Sequence, residues 1–173
     1  MTSQVLAIDP GTRESAWVLY DGVRIVAHSI EPNEALLERL RDRVGPFPGC
    51  GPLLNARVSA VVFESVESFG MAVGREVFET VWWTGRLFEA CLPGPWFAVR
   101  LTRRDVKLHL CGTSKAKDAN IRAALIDRFG GSKAAAIGVK AAPGPLYGIK
   151  SHIWAALAIA VTWADRDASA MES

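Results

Sequence analysis

Cysteine is scarce. Three stand among 173 residues, Cys50, Cys91 and Cys111, none in a C-x-x-C pair, and an odd number argues against a disulfide framework. Reduced, mostly buried thiols in a cytoplasmic protein are the expected state. Long apolar runs are equally lacking: the longest, residues 153–164, has 12 members and includes a Thr. A bilayer-spanning helix needs about 20, so this segment reads as a buried helix and no membrane contact is expected. No basic-then-apolar leader opens the sequence, which also fits a cytoplasmic chain. Internal repeats and low-complexity segments are absent. No Ser–His or Cys–His pairing stands out, which gives covalent catalysis little support. Nor is one sign of charge in excess: 20 Lys and Arg oppose 18 Asp and Glu, for a net +2.

That balance conceals an asymmetry. Residues 1–99 carry 8 basic and 12 acidic side chains, whereas residues 100–150 carry 11 and 3. Such a block suits an anionic partner, and it equally suits a plain solvated surface; charge alone does not decide. Half the residues are hydrophobic and 22% are charged, an ordinary globular composition. The length suits one domain, 1–173, with a core large enough to need no staples.

Residues 5–9 read as a strand ended by the turn signal Asp9-Pro10-Gly11. Residues 15–20 and 23–29 follow as strands joined tightly at Asp21-Gly22, so the chain opens with a three-stranded antiparallel meander. Residues 33–44 have helical periodicity, 45–52 form a loop, and 59–66 are a strand whose apolar run suits burial on both faces. Residues 74–91 are a longer helix on which Val77, Phe78, Val81, Trp82 and Phe88 share a broad face. Residues 96–101 are a fifth strand. Thr102 caps a short helix to Leu110, and 117–129 form another, closed by Gly130-Gly131. Residues 131–149 read as loop, and Ser151 suits the N-cap of a last helix to about Asp165. The order βββαβαβααα gives an α/β fold: a mixed five-stranded sheet, the meander plus parallel strands, flanked by helices.

Asp9 ends the first strand and Glu64 lies near the end of the fourth, after the apolar runs Val5-Leu6-Ala7-Ile8 and Val61-Val62-Phe63. A helical crossover lets the fourth strand lie parallel to the first and beside it. Both carboxylates then stand at one sheet edge, where strand order reverses and ligands bind. Carboxylates that close repel unless a cation lies between them, and Mg²⁺ or Mn²⁺ suits such oxygen ligands. As turn residues ending two strands they need no ion. Both readings are open on these residues alone.

Three segments together resemble a known family. They are Leu6-Ala7-Ile8-Asp9-Pro10-Gly11-Thr12 before a meander, Phe63-Glu64 ending the fourth strand, and Ser151-His152-Ile153-Trp154-Ala155-Ala156-Leu157-Ala158 opening the last helix. In this order and spacing they resemble the RuvC-type Holliday junction resolvases of the ribonuclease H-like fold, in form their divergent, often phage-associated branch. The resemblance spans roughly residues 4–165. It implies a single ribonuclease H-like nuclease domain acting as a crossover junction endodeoxyribonuclease. Such an enzyme resolves four-way or branched DNA by paired nicks, through water attack on phosphodiesters, with two Mg²⁺ or Mn²⁺ ions per site.

Carried over by position, Asp9 would bridge two ions and Glu64 would bind one. His152 would be the third ligand or would handle protons at the attacking water; apart from the resemblance, it reads as a hydrogen-bonded core or rim residue. Where these resolvases carry a further Asp, this chain has Ala155. Either His152, waters and the scissile phosphate hold that ion, or Asp118, in Lys115-Ala116-Lys117-Asp118, comes in from a neighbouring helix. Asp118 otherwise complements the positive end of its own helix. A chain that binds junctions but cuts them poorly is the alternative, as is a related nuclease acting on RNA. A homodimer would match the near two-fold symmetry of a junction. Trp82 and Trp83, side by side, do not both bury on one helix face, so one suits a dimer contact as well as it suits core packing.

The basic block would flank this site. Arg103, Arg104 and Lys107 open the helix after strand five, Lys115, Lys117 and Arg122 surround the start of the next, and Lys133, Lys140 and Lys150 dot the segment beyond. With Arg13, in the turn after Asp9, these side chains are expected to neutralise phosphates. No base-reading motif accompanies them, so recognition of shape and backbone is expected. Phe69, in Ser68-Phe69-Gly70-Met71, occupies the loop where such resolvases place an aromatic wedge; on its own it equally reads as a core anchor.

Overall fold

Period-two alternation along the first strand sorts the molecule into layers. The computed structural model describes residues 3–41, 54, 57–67, 70, 72–92 and 94–171. In β1 (Gln4–Asp9), Val5 and Ala7 face one side of the sheet and Leu6 and Ile8 the other, all buried. β2 (Glu14–Tyr20) and β3 (Ile25–Pro32) complete the antiparallel meander. After α1 (Asn33–Arg41), β4 (Val58–Ser65) returns parallel to β1; after α2 (Arg75–Cys91), β5 (Phe97–Thr102) lies parallel to β4. The sheet order is β3-β2-β1-β4-β5, so the chain forms the expected α/β mixed sheet. α3 (Arg103–Cys111), α4 (Asp118–Gly130), the single turn α5 (Lys133–Ala136), the short hairpin β6 (Gly138–Val139) and β7 (Ala142–Pro143), and α6 (Ile153–Met171) follow.

α1 and α2 cover the Leu6, Ile8, Trp17 and Phe63 face, and α3, α4 and α6 cover the Val5, Ala7, Val18 and Val62 face. Every residue of α6 from Ala156 to Thr162 is buried, as a helix enclosed on more than one side requires. Among the described residues no helix is long and apolar enough to cross a membrane.

Several details differ from the sequence-based expectation. The β2–β3 turn is a four-residue loop, Asp21 to Arg24, because Asp21 Oδ1 accepts from the backbone N–H of Val23 (3.0 Å) and Arg24 (2.8 Å); the side chain mimics a turn of backbone. Residues 131–149 are not plain loop: Ser132 caps α5 through the Ala135 N–H, and β6–β7 follows. Ser151 does not cap α6. It lies in the left-handed region (φ 46°), and the Ala156 N–H reaches back to the His152 carbonyl. On α2 the core side is Trp83, Leu87, Ala90 and Cys91, while Phe78, Val81 and Trp82 point to solvent. Both stripes are apolar, and the one facing α1 and the sheet is buried. The helix beyond Arg41, the loop at 45–52, Cys50 and Phe69 lie outside the described residues.

One polar clamp ties the α6 layer together. Asp165 accepts from both terminal nitrogens of Arg128 at 2.7 Å and meets His109 Nε2 at 2.8 Å. Burial pushes its pKa up, but the bonds from Arg128 and His109 prevail and hold it below the usual 3.8. A depressed folded pKa adds stability above the unfolded value and loses it as pH falls through the folded one. Asp165→Asn should therefore cost about 1 kcal/mol near neutrality, the pair being partly exposed. Urea melts at pH 7 and pH 3 should show that gap closing in acid.

Candidate active site

The turn after β1 is held from below. A Cβ at Gly11 would collide with the Glu14 carbonyl oxygen, so only glycine fits there. Asn33, fully buried at the start of α1, donates from Nδ2 to the Gly11 carbonyl (3.0 Å) and accepts from the Ser15 hydroxyl (2.6 Å). Its own N–H donates to the Arg13 carbonyl at 2.9 Å. Asn33→Ala would strand two buried polar groups, at about 1–3 kcal/mol. We expect a lower urea midpoint together with slower turnover, since the turn carries Asp9.

Alternation then aims the acids. Asp9 continues the Val5–Ala7 face of β1, and Glu64 continues the Ala60–Val62 face of β4, so both carboxylates emerge on the α6 side. The register Ile8↔Phe63 puts them next to each other at the carboxyl ends of parallel strands. His152, at the entry to α6, brings Nδ1 to 3.2 Å from Asp9 Oδ2. Its ring is 70% exposed, against 13% for the Asp9 side chain, and Nε2 has no partner among the described residues. From β5, Thr102 and Asp105 form a reciprocal capping box, Thr102 Oγ1 accepting from the Asp105 N–H and Asp105 Oδ2 from the Thr102 N–H. That box starts α3 with Arg103 beside β4. Arg103 donates to Glu64 at 3.2 and 3.3 Å and pairs with Asp118, the first residue of α4, at 2.6 Å.

Asp9, Glu64, Arg103, Asp118, His152 and Ala155 thus line one cleft of about 670 Å³. Burial, and then the charge and hydrogen bond of Glu64, push the Asp9 carboxyl up to about 8, with Arg103 opposing. A carboxylate pair forced to hold a proton at neutral pH is one that a cation would occupy instead. Among the described residues no group of three or more His, Cys, Asp and Glu is gathered to hold an ion by itself. Asp9 with Glu64 is a two-carboxylate site, and that fits Mg²⁺, which keeps waters and takes substrate phosphate oxygens as further ligands.

Of the other sequence-selected cations, some line this cleft or separate grooves and the rest are exposed elsewhere on the surface. Arg13 is exposed in a second groove, which Asp9, Gly11, Thr12 and His152 also line. Arg103, Arg104, Lys107 and Ser114 line a third of about 300 Å³. Lys115, Lys117, Lys133, Lys140 and Lys150 are exposed, Lys117 at the start of α4. Arg122 lines the cleft itself, its guanidinium 4.6 Å from the Trp154 ring centroid.

Two features were missed in the sequence. Trp154 reads there as one more apolar residue of a buried helix, yet it faces the cleft with Arg122 stacked on it. Arg103 reads as a surface cation, and its bonds to Glu64 and Asp118 join positions far apart in the chain. Neither left a signal in the sequence, since an i, i+2 spacing does not place two helical side chains on one face.

No family model matches this chain, and no curated protein sequence does. Solved structures do. The Thermus thermophilus RuvC structure superposes with a TM-score of 0.66 at 18% identity, covering 96% of each chain. Thermus thermophilus RuvC in complex with Holliday junction substrate gives 0.66 at 20%, covering 97% of this chain and 96% of that one. At these identities the likeness is one of architecture: the chain carries the RuvC-like fold.

Proposed function

We propose that this chain is a single-domain, structure-selective endonuclease that binds branched DNA, four-way junctions above all, and nicks it by water attack on phosphodiesters with Mg²⁺ or Mn²⁺. The observation that carries this reading is the adjacency of Asp9 and Glu64 at the edge of two parallel strands, with His152 bonded to Asp9 at 3.2 Å in the same cleft. It is supported by the RuvC fold, which in the Thermus thermophilus complex is bound to a Holliday junction substrate.

Asp9 and Glu64 would hold the ion. When bound, such an ion polarises the phosphate and acidifies a coordinated water. Asp9 gives up its proton on loading and fixes the His152 ring through Nδ1, leaving Nε2 to take a proton from the attacking water. The exposed cations on α3, on α4 and in the segment 131–150 neutralise the phosphates on either side, so binding falls steeply with salt. Phe78, Val81 and Trp82, exposed on α2, support a homodimer that would present two such sites to the two strands of a junction. The enzyme would work in the cytoplasm, and its departure at Ala155 suits the divergent, phage-associated branch.

Two observations favour a second reading, a junction-binding protein with weak cleavage: Ala155 offers no ligand, and Glu64 is already paired with Arg103. End-labelled four-way junctions, linear duplex and RNA hairpins, each incubated with the chain and Mg²⁺, separate these readings. We expect paired nicks in the junction and little cutting of the others. Tight junction binding without nicks would favour the second reading, and preferential hairpin cleavage would favour an RNA nuclease.

A further inference from the structure

The cleft contains a cation of the chain's own. The Arg103 guanidinium bonds to Glu64 at 3.2 and 3.3 Å and to Asp118 at 2.6 Å, and only a third of its side chain is exposed. Its backbone is fixed by the Thr102–Asp105 capping box at the end of β5, so the side chain has a built position rather than a surface one. Although burial disfavours its charge, Glu64 and Asp118 strengthen it further. Across the cleft the α6 wall offers the methyl group of Ala155 and no carboxylate, and His152 at its entry is bonded to Asp9.

Charge and space then limit what else fits. With Asp9 ionised, three carboxylates face two guanidiniums, Arg103 and Arg122, and the one negative charge left is more than met by a single divalent ion. A second ion would face both the first ion and Arg103, without a free carboxylate to hold it. Resting on the endonuclease reading above, we infer that Arg103 takes the place of a second divalent ion. This chain binds one ion per site, at Asp9 and Glu64, and Asp118 is a positioning residue for Arg103 rather than an ion ligand. The guanidinium is thereby placed to meet the negative charge of the phosphodiester, with a planar fork that Lys lacks.

The test is ion counting on the full-length chain, stripped with EDTA and titrated with Mn²⁺ alone, with free Mn²⁺ read by electron paramagnetic resonance. We expect one Mn²⁺ per wild-type chain, lost in Asp9→Asn. Arg103→Lys should keep the count at one, and Arg103→Ala should bind that ion at least about tenfold more tightly, because a neighbouring positive charge is gone. Arg103→Ala combined with Ala155→Asp should take up two. Two ions in the wild-type cleft, or unchanged affinity in a folded Arg103→Ala, would overturn the inference. The wild-type count needs no variant to fold. One ion at Asp9 with no junction nicking would defeat the endonuclease reading alone, whereas two ions with nicking would defeat the Arg103 assignment alone.

Discussion

Replacing Asp9 by Asn should abolish junction nicking, by at least about 10³-fold, and should make the metal-free protein more stable to heat. Both effects have one cause. Burial and Glu64 hold the folded Asp9 carboxyl at about 8, against an ordinary 3.8. Between those values the folded chain binds more protons than the unfolded one, so stability falls as pH rises from about 4 to about 8. Asn removes that penalty while keeping the shape of the side chain. The gain at pH 8 is on the order of a few kcal/mol, and it should be largely gone at pH 4. On the proposed reading Mg²⁺ should reverse the ranking, since only wild type would keep both proposed ligands and ion binding stabilises the folded state. Melting curves at pH 5 and pH 8, with EDTA or Mg²⁺, read all of this; a lower melting temperature for Asp9→Asn at pH 8 in EDTA would contradict it. Glu64→Gln should lose nicking to the same degree, and both variants should still bind junctions through the surrounding cations.

His152→Ala should slow nicking by about 10²–10⁴-fold, the range of a positioned general base, while leaving junction affinity nearly unchanged. The ring is mostly exposed and contributes little to packing, so its loss should not lower stability appreciably. Its bond to Asp9 at 3.2 Å orients it, and His152→Gln, which keeps a polar group but no base, should remain slow. Single-turnover rates alongside filter binding separate the two effects. Wild-type rates in His152→Ala would return the ring to a rim role.

Much of the fold was legible because it rests on local rules. Apolar runs closed by Pro-Gly or Gly-Gly turns marked the strands and helices. A crossover helix between residues 9 and 58 made the parallel pairing of β1 with β4 the natural one, and that pairing put Asp9 beside Glu64. Other features depend on long-range geometry. The two apolar stripes of α2 look alike in sequence, and only packing against α1 and the sheet selects Trp83 over Trp82. Asn33 reads as the first residue of a helix, yet its side chain braces a turn more than twenty residues earlier. Residues 131–149 have weak periodicity, and their structure depends on backbone proximity: a Cβ at Gly144 would meet the α5 carbonyls. Arg103 is the most consequential case, because whether an Arg meets solvent, phosphate or a carboxylate depends on where β5 ends relative to β4.

The most direct measurement is metal-restored cleavage of one labelled four-way junction. Chain stripped with EDTA is mixed with the junction, and nicks on both strands are followed as Mg²⁺ is added to wild type and to Asp9→Asn. No nicks before Mg²⁺, paired nicks after it, and none at any concentration for Asp9→Asn is the expected result. Equal cutting in EDTA, or cutting by Asp9→Asn at the wild-type rate, would contradict a metal-dependent site at Asp9 and Glu64.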